Sequence, residues 1–274
     1  MNEKINNKGG HMKLVVADLD GTLVHKKVVS DASIKTIKQL KEQGFLFTIA
    51  TGRHMDATRE IAQLLEVDLP VICGNGAIIY DFDQDQILHQ ELLSDDILNQ
   101  IIDLCFKNQL NFLMYTTKHV VTTKQAATMI HEKIGKFDIH IIEENEIKNY
   151  FQIGVFKILV IDEDIEKLRK LKNQLSSYQD ISMVQSQPFF LDIGHRLSNK
   201  GRAISKLVDI LNIDIKDVLA IGDQENDIDM IKTAGIGVAM GDSHLELKRV
   251  ADDITETYQN DGFTQAINKH VFKK

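Results

Sequence analysis

The feature that most constrains the fold is a short apolar run, residues 14–17, that leads directly into two aspartates. Such a run is typical of a strand buried on both faces, as in a parallel sheet. Asp18 and Asp20 follow at the carboxyl end of this strand, and the Gly-Thr pair at 21–22 allows a tight turn. Because ligands of open α/β sheets bind beyond the carboxyl ends of the strands, Asp18 is a candidate nucleophile.

Both ends of the chain alternate between strand and helix patterns. Apolar runs predict strands over residues 13–17, 45–50, 71–73, 218–221 and 236–240. Apolar residues at helical spacing predict helices over residues 31–42, 55–65 and 201–211 and from 226 onwards. This alternation indicates βαβ units. We therefore expect an α/β fold, with a Rossmann-like parallel sheet and helices on both of its faces.

The middle of the chain has a different pattern. Between residues 77 and 190, hairpin-like runs stand beside helical patterns, which predicts an inserted α+β module. We expect a core domain of residues 12–82 and 191–274, with residues 83–190 forming a cap over the carboxyl edge of the sheet. Residues 1–11 are expected to be a flexible leader or a cloning remnant.

Composition narrows the possible partners. The 32 basic and 40 acidic residues leave a net charge of -8, which disfavours a broad nucleic-acid surface but allows a small positive phosphate pocket. No window approaches the ~20 apolar residues of a membrane span, so we expect a cytoplasmic protein without a nucleic-acid or membrane partner. Cys73 and Cys105 lack metal-ligand spacing and are expected to be reduced core residues. The sequence leaves the oligomeric state open.

Polar side chains follow three of the predicted strands, namely Asp18, Thr51 and Asp223. If these strands are neighbours, the three side chains converge on one crevice. Asp20 and Asp227 would then join Asp18 and Asp223 in a carboxylate cluster, which is costly unless a hard cation neutralises it. Ligation by oxygen alone suits Mg²⁺ rather than zinc, and the bound ion would keep Asp18 ionised.

Four motifs, in order, resemble those of the haloacid dehalogenase superfamily. They are Asp18-Leu19-Asp20-Gly21-Thr22-Leu23, Thr51-Gly52-Arg53, Lys200-Gly201 and Gly222-Asp223-Gln224-Glu225-Asn226-Asp227. The insertion between the second and third motifs, together with Asn75-Gly76-Ala77 and Asp261-Gly262, is similar to the Cof-type branch, whose members carry a type C2B cap. Each motif alone is weak, whereas four in order make a strong signal.

The resemblance implies a role for each matching residue. Asp18 would attack phosphorus to form an aspartyl-phosphate, while Asp20 would protonate the leaving oxygen and then activate water. The Thr51 hydroxyl and the Gly52 N–H, at a helix N-terminus, would hold the phosphoryl oxygens. Lys200 would neutralise charge on Asp18 and on the phosphoryl group.

The implied metal site and substrate follow from the same resemblance. Asp223 would bind Mg²⁺ together with Asp18 and the Asp20 carbonyl, and Asn226 would lie near the phosphate. Asp227 would orient the water around the metal, although it could instead cap a helix that begins nearby. The family implies a phosphatase for a small phosphorylated metabolite, such as a sugar phosphate, a nucleotide, flavin mononucleotide or pyridoxal phosphate. A phosphomutase or phosphotransferase of the same fold and a non-catalytic phosphometabolite sensor are the alternatives.

Other side chains keep more than one interpretation. Arg53 could contact substrate or form a salt bridge to the cap or to an adjacent helix. Asp242 stands where Cof-like chains usually have Asn, and it could weaken phosphate affinity, favour a cationic substrate group or point outward. The isolated histidines are not in metal-ligand spacing, and most of them are expected on the surface or in loops; they are His25, His54, His119 and His195.

Overall fold

The core sheet is parallel throughout. The structure, a computed structural model, describes residues 12–127, 130 and 138–273, with only the backbone of residues 186 and 187; the predicted leader, residues 1–11, lies outside this part. The strands of the sheet are β1 (Leu14–Ala17), β4 (Leu46–Ile49), β14 (Val218–Gly222), β15 (Ile236–Ala239) and β16 (Asp253–Ile254). Their order is β16-β15-β14-β1-β4. A two-stranded hairpin, β2 (Val24–His25) and β3 (Val28–Val29), follows β1.

Helices cover both faces of this sheet. The α-helices that the structure outlines are α1 (Asp31–Glu42), α2 (Met55–Leu64), α3 (Asp95–Lys107), α4 (Ile165–Leu175), α5 (Lys200–Leu211), α6 (Ile228–Thr233), α7 (Leu245–Val250) and α8 (Gly262–Ile267). Within β1, Val15 belongs to an apolar cluster with α1 and α8, whereas Val16 belongs to one with α5 and α6. The predicted α/β core is therefore confirmed. No helix in the described part of the chain is long and apolar enough to cross a membrane.

The inserted module is an antiparallel sheet with one parallel edge pair. Its strands are β8 (Asn111–Thr116), β9 (Val120–Thr123), β10 (Ile139–Ile142), β11 (Val155–Ile161), β12 (Ile181–Gln187) and β13 (Phe190–His195), in the order β10-β9-β8-β11-β13-β12. Helices α3 and α4 pack on one face in a separate cluster. On the other face, Tyr115 and Phe156 join the same apolar cluster as Val15 of the core. The expected α+β cap is thus present and packs against the core.

Strand pairing moves both domain boundaries. A three-stranded antiparallel sheet is formed by β5 (Val71–Cys73), β6 (Ile78–Asp81) and β7 (Gln86–Gln90), and a parallel bridge between Ala50 and Ile72 links it to the core. The predicted cap, residues 83–190, includes β7, which pairs with β6, and it omits most of β13, which pairs with β11 and β12. We therefore place the two connections at residues 91–94 and 196–199.

The two cysteines lie in these cores. Cys73 belongs to the cluster shared by core and cap, and Cys105 belongs to the cluster beneath α3. Both thiols are free, and burial raises the pKa of each to about 12. They therefore stay protonated and behave as the core residues that the sequence predicted.

Candidate active site

The three strands that end in polar side chains are adjacent in the sheet. β1 lies between β14 and β4, with all three strands parallel and in register. Asp18, Thr51 and Asp223 therefore emerge from the same edge of the sheet, as the sequence predicts. The Asp18 N–H donates to the Ile221 carbonyl at 2.9 Å, which extends the β1–β14 pairing to the candidate nucleophile.

Lys200 links two of the aspartates. It is the first residue of α5, whose N-cap Asn199 accepts a hydrogen bond from the Arg202 N–H. The Lys200 side chain is fully buried, and its Nζ lies 2.5 Å from Asp18 Oδ1 and 2.6 Å from Asp227 Oδ1. Burial opposes the charge, but the two carboxylates outweigh it and raise the pKa of Lys200. The ammonium is therefore a fixed positive charge against Asp18.

The buried carboxylates suit a hard cation. Asp18, Asp223 and Asp227 each present an oxygen within 4.8 Å of the others. Burial, followed by the neighbouring carboxylates, raises the pKa of Asp223 to about 7, and burial is also the main cause that raises the pKa of Asp18. Asp223 Oδ1 is buried and has no hydrogen-bond partner among the described residues. A buried acceptor in that state fits an oxygen-coordinated metal ion, so the residues present fit Mg²⁺.

Both oxygens of Asp227 already have partners. Oδ1 accepts from Lys200, while Oδ2 accepts from the backbone N–H groups of Asp223 and Gln224 at 2.9 and 3.1 Å. The side chain thus shapes the loop that carries Asp223. Direct ligation by Asp227 stays a prediction, and its contacts agree better with the predicted role in orienting the water around the metal.

A glycine makes room for Asp223. Gly21 has φ +96°, in the left-handed region that favours glycine. A Cβ at this position would lie 2.1 Å from Asp223 Oδ2. The turn after Asp20 can therefore pass close to the Asp223 carboxylate only because residue 21 has no side chain.

Asp20 and Arg53 form an ion pair. The guanidinium donates from Nε to Asp20 Oδ2 at 2.8 Å and from Nη2 to Oδ1 at 2.5 Å. The Asp20 side chain is 58% exposed, so the second carboxyl faces solvent rather than the buried cluster. Arg53 was expected to contact substrate or to form a salt bridge to the cap or to an adjacent helix. Its salt-bridge partner is the predicted acid Asp20, and contact with substrate stays a prediction. The sequence does not reveal this pairing, because Asp20 and Arg53 follow different strands.

The predicted phosphate loop is supported by an asparagine that the site prediction did not include. Thr51 is fully buried, and its Oγ1 accepts a hydrogen bond from the Arg53 N–H at 3.2 Å. Asn75 donates its backbone N–H to the Thr51 carbonyl, and its Oδ1 accepts from Asn226 Nδ2 at 2.9 Å. A Cβ on Gly52 would lie 2.7 Å from Asn75 Oδ1. Asn75 thus joins the predicted loop to Asn226.

The sequence held a signal for Asn75. The Asn-Gly pair after β5 marks a turn that accepts positive φ, and Asn75 has φ 59°.

Gly52 does not open a helix, because α2 begins at Met55 with His54 as its N-cap. The expectation that Gly52 lies at a helix N-terminus is therefore wrong, and the loop is organised by side chains and by single backbone hydrogen bonds.

His54 lies between core and cap. It is only 1% exposed, its Nε2 lies 2.9 Å from the Thr116 carbonyl on β8, and its ring stacks on Phe156 of β11. His54 is therefore an exception to the expectation that most of the isolated histidines lie on the surface or in loops. Its burial depends on the cap, which the local sequence around residue 54 does not describe.

Asp242 lies in the loop after β15. The Ser243 N–H donates to the Met240 carbonyl, and the His244 N–H donates to the Asp223 carbonyl. The Asp242 side chain is exposed, and its charge is a lesser contribution to the raised pKa of Asp223. The Asp242 charge therefore acts on the Asp223 carboxylate, which it makes harder to ionise.

Comparison with known proteins agrees with this site. A family model described as haloacid dehalogenase-like hydrolase matches residues 15–267. The chain is 31% identical over 261 residues to a 5-amino-6-(5-phospho-D-ribitylamino)uracil phosphatase of Bacillus subtilis, covering 95% of this chain and 96% of the relative. It is 28% identical over 272 residues to a pyridoxal phosphate phosphatase of Escherichia coli, covering 94% and 98%. A solved haloacid dehalogenase-like hydrolase from Bacteroides thetaiotaomicron has a TM-score of 0.82 at 28% identity, covering 94% of this chain and 99% of that chain.

The chain therefore belongs to the haloacid dehalogenase-like hydrolase family, as its four motifs predict. Within that family it is an enzyme of the phosphatase class.

Proposed function

We propose that the protein is a Mg²⁺-dependent phosphatase that hydrolyses a small phosphorylated metabolite through an aspartyl-phosphate intermediate. The observation that carries the proposal is the Asp18 carboxylate, which is buried at a strand end and held by the Lys200 ammonium. Beside it lies Asp223 Oδ1, which has no hydrogen-bond partner in the described part of the chain. This arrangement combines an oriented nucleophile, a fixed positive charge and an acidic metal site.

In the first step, an Asp18 carboxylate oxygen attacks phosphorus, and the bond from phosphorus to the leaving oxygen breaks. Lys200 neutralises charge on Asp18 and on the transferring group. Asp20 gives its proton to the leaving oxygen. Both Asp20 oxygens accept hydrogen bonds from Arg53, which orients the carboxyl for this proton transfer.

In the second step, Asp20 takes a proton from water, and the water oxygen attacks the phosphorus of the aspartyl-phosphate. The bond from phosphorus to the Asp18 oxygen breaks, which releases inorganic phosphate and restores the carboxylate. Thr51, Gly52 and Asn226 hold the phosphoryl oxygens through both steps. Asp18, Asp223 and the Asp20 carbonyl would hold Mg²⁺, and Asp227 would orient the water around the metal. The bound ion would supply positive charge that keeps Asp18 ionised.

Support for a small substrate comes from the cap and from the relatives. The cap packs on the core through His54 and Phe156, so a leaving group has to fit beneath it. The relatives named above act on a phosphoribitylamino uracil and on pyridoxal phosphate. We propose that the substrate comes from the same range of sugar phosphates, nucleotides and phosphorylated cofactors.

The test is release of inorganic phosphate from a panel of sugar phosphates, nucleotides, flavin mononucleotide and pyridoxal phosphate. We expect release that requires both Mg²⁺ and Asp18, with Asp18→Asn folded but inactive. Transfer of the phosphoryl group back to substrate, without free phosphate, would support a mutase. A folded protein that binds these compounds without any turnover would support a sensor.

A further inference from the structure

A buried lysine of the cap reaches the predicted phosphate loop. Lys157 interrupts the apolar strand β11 and is only 5% exposed. Val155 pairs with Thr116 and Lys157 pairs with Tyr115, so Phe156 is an extra residue in the ladder, a β-bulge. Bulges change the direction of a side chain, and here Phe156 and Lys157 both contact the core. The Phe156 ring lies against Gly74, and Lys157 Nζ lies 2.8 Å from the Gly52 carbonyl oxygen.

The charge of Lys157 is stabilised where it lies. Its Nζ is 2.9 Å from Asp192 Oδ1 and 4.2 Å from the centre of the Tyr115 ring. Burial works against the ammonium, but the Asp192 carboxylate outweighs it and raises the pKa of Lys157. The loop therefore receives a hydrogen bond from a cation, which is roughly twice as strong as one between neutral groups.

Lys157 contacts the peptide group between Gly52 and Arg53. The Gly52 carbonyl belongs to the same peptide as the Arg53 N–H, which donates to Thr51 Oγ1 at 3.2 Å. A cation on the carbonyl oxygen polarises this peptide and strengthens its N–H as a donor. Because Thr51 Oγ1 then accepts from the backbone, its own hydroxyl proton is left for another acceptor.

We propose that Lys157 is a positioning residue for phosphate binding: from the cap, it fixes the Gly52–Arg53 peptide so that the Thr51 hydroxyl donates to the phosphoryl group. If Lys157 served the cap alone, its ion pair with Asp192 would be sufficient. Lys157 also donates to the Gly52 carbonyl, which belongs to the core. The phosphate site is thus assembled from both domains. This inference rests on the proposed function, because it takes residues 51–52 as the phosphate loop.

The test is a double-mutant cycle of Lys157→Met and Thr51→Val, with the Kd of inorganic phosphate measured by calorimetry in the presence of Mg²⁺. We expect Lys157→Met to weaken binding about 10-fold, the lower range for a hydrogen bond to a charged group. In the Thr51→Val background the same substitution should weaken binding by less than about 2-fold, since the hydroxyl that it positions is gone. Equal effects in both backgrounds would overturn the proposal.

Two controls separate positioning from folding. Lys157→Met leaves the Asp192 carboxylate buried, so it is repeated with Asp192→Asn, which removes that charge. We expect the double variant to recover thermal stability while its phosphate binding stays about 10-fold weaker than that of the wild type. Recovery of both stability and phosphate binding would show that Lys157 serves only the cap. Lys172→Met, an exposed cap lysine on α4, makes the same change in charge and should leave the Kd unchanged.

Binding and turnover fail separately in this design. A wild-type protein that binds phosphate without hydrolysing any ester would refute the proposed function, while the cycle would still decide the role of Lys157. A wild-type protein that hydrolyses esters but shows additive effects in the cycle would refute only the role of Lys157. Absence of phosphate binding by the wild type would refute the role of Lys157, while release of phosphate from esters would still decide the proposed function.

Discussion

Without a divalent metal, the folded protein should lose stability as the pH rises. Burial and the neighbouring carboxylates raise the pKa of Asp223 from 3.8 to about 7. The native state therefore binds this proton more tightly than the unfolded chain does. The contribution of Asp223 to the free energy of unfolding is most favourable below about pH 4. It declines as the pH rises through the window between the two pKa values, and it is constant above about pH 7.

The size of the effect follows from the shift. Each pKa unit corresponds to about 1.4 kcal/mol, so ionising Asp223 costs the native state at most about 4 kcal/mol across the whole window. Between about pH 5 and pH 8 the free energy of unfolding should fall by roughly 2 to 3 kcal/mol. Asp223→Asn removes this contribution, so in a chelator at about pH 8 the variant should be more stable than the wild type.

The assay is urea unfolding with a chelator, at a series of pH values, for the wild type and for Asp223→Asn. Added Mg²⁺ should stabilise the wild type, and more strongly at high pH because the ion competes with the proton. The variant should respond weakly. A wild-type stability that does not change between about pH 5 and pH 8, or a variant that is less stable at about pH 8 in chelator, would refute the electrostatic argument.

Two further predictions concern activity. Removal of divalent metal with a chelator should stop phosphate release, and added Mg²⁺ should restore it. Turnover by metal-free protein would exclude the proposed metal-binding role of Asp223 and Asp18. Gly52→Ala should lower kcat/KM by more than about 10-fold, because its Cβ would lie 2.7 Å from Asn75 Oδ1 and displace the contact to Asn226. Gly44→Ala is the matched control. No atom of the residues that the structure describes lies within 4 Å of its Cβ, but φ is +83°, so it should cost about 1 kcal/mol of stability and leave kcat/KM unchanged. Equal kinetics for the two variants would contradict the proposed loop.

Local sequence patterns predicted the positions of helices and strands better than the contacts between them. The helix over residues 31–42 begins and ends where its apolar periodicity places it, because that signal lies within the helix itself. Asp18 and Asp223 could be placed together because strand ends in a parallel sheet share an edge. The sequence therefore supports the location of the site without its internal contacts.

The contacts that were missed join distant parts of the chain. The hydrogen bond of Lys157 to Gly52 and that of His54 to Thr116 both cross from cap to core. A lysine in an apolar strand and a histidine after a loop have no local pattern that identifies such partners. The predicted boundary at residue 190 differs from the strand pairing for a similar reason, because β13 pairs with β11 and β12 of the cap.

The position of β1 also has a consequence for synthesis. One neighbour of this strand, β4, follows soon after it, but the other, β14, emerges from the ribosome only after the entire cap. Until then β1 exposes an unpaired apolar edge, which is the kind of surface that recruits other chains. The cap is contiguous in sequence and can fold first, so we expect protease-resistant nascent chains to contain the cap before they contain the catalytic sheet. Chains stalled before β14 should accordingly depend on chaperones to remain monomeric.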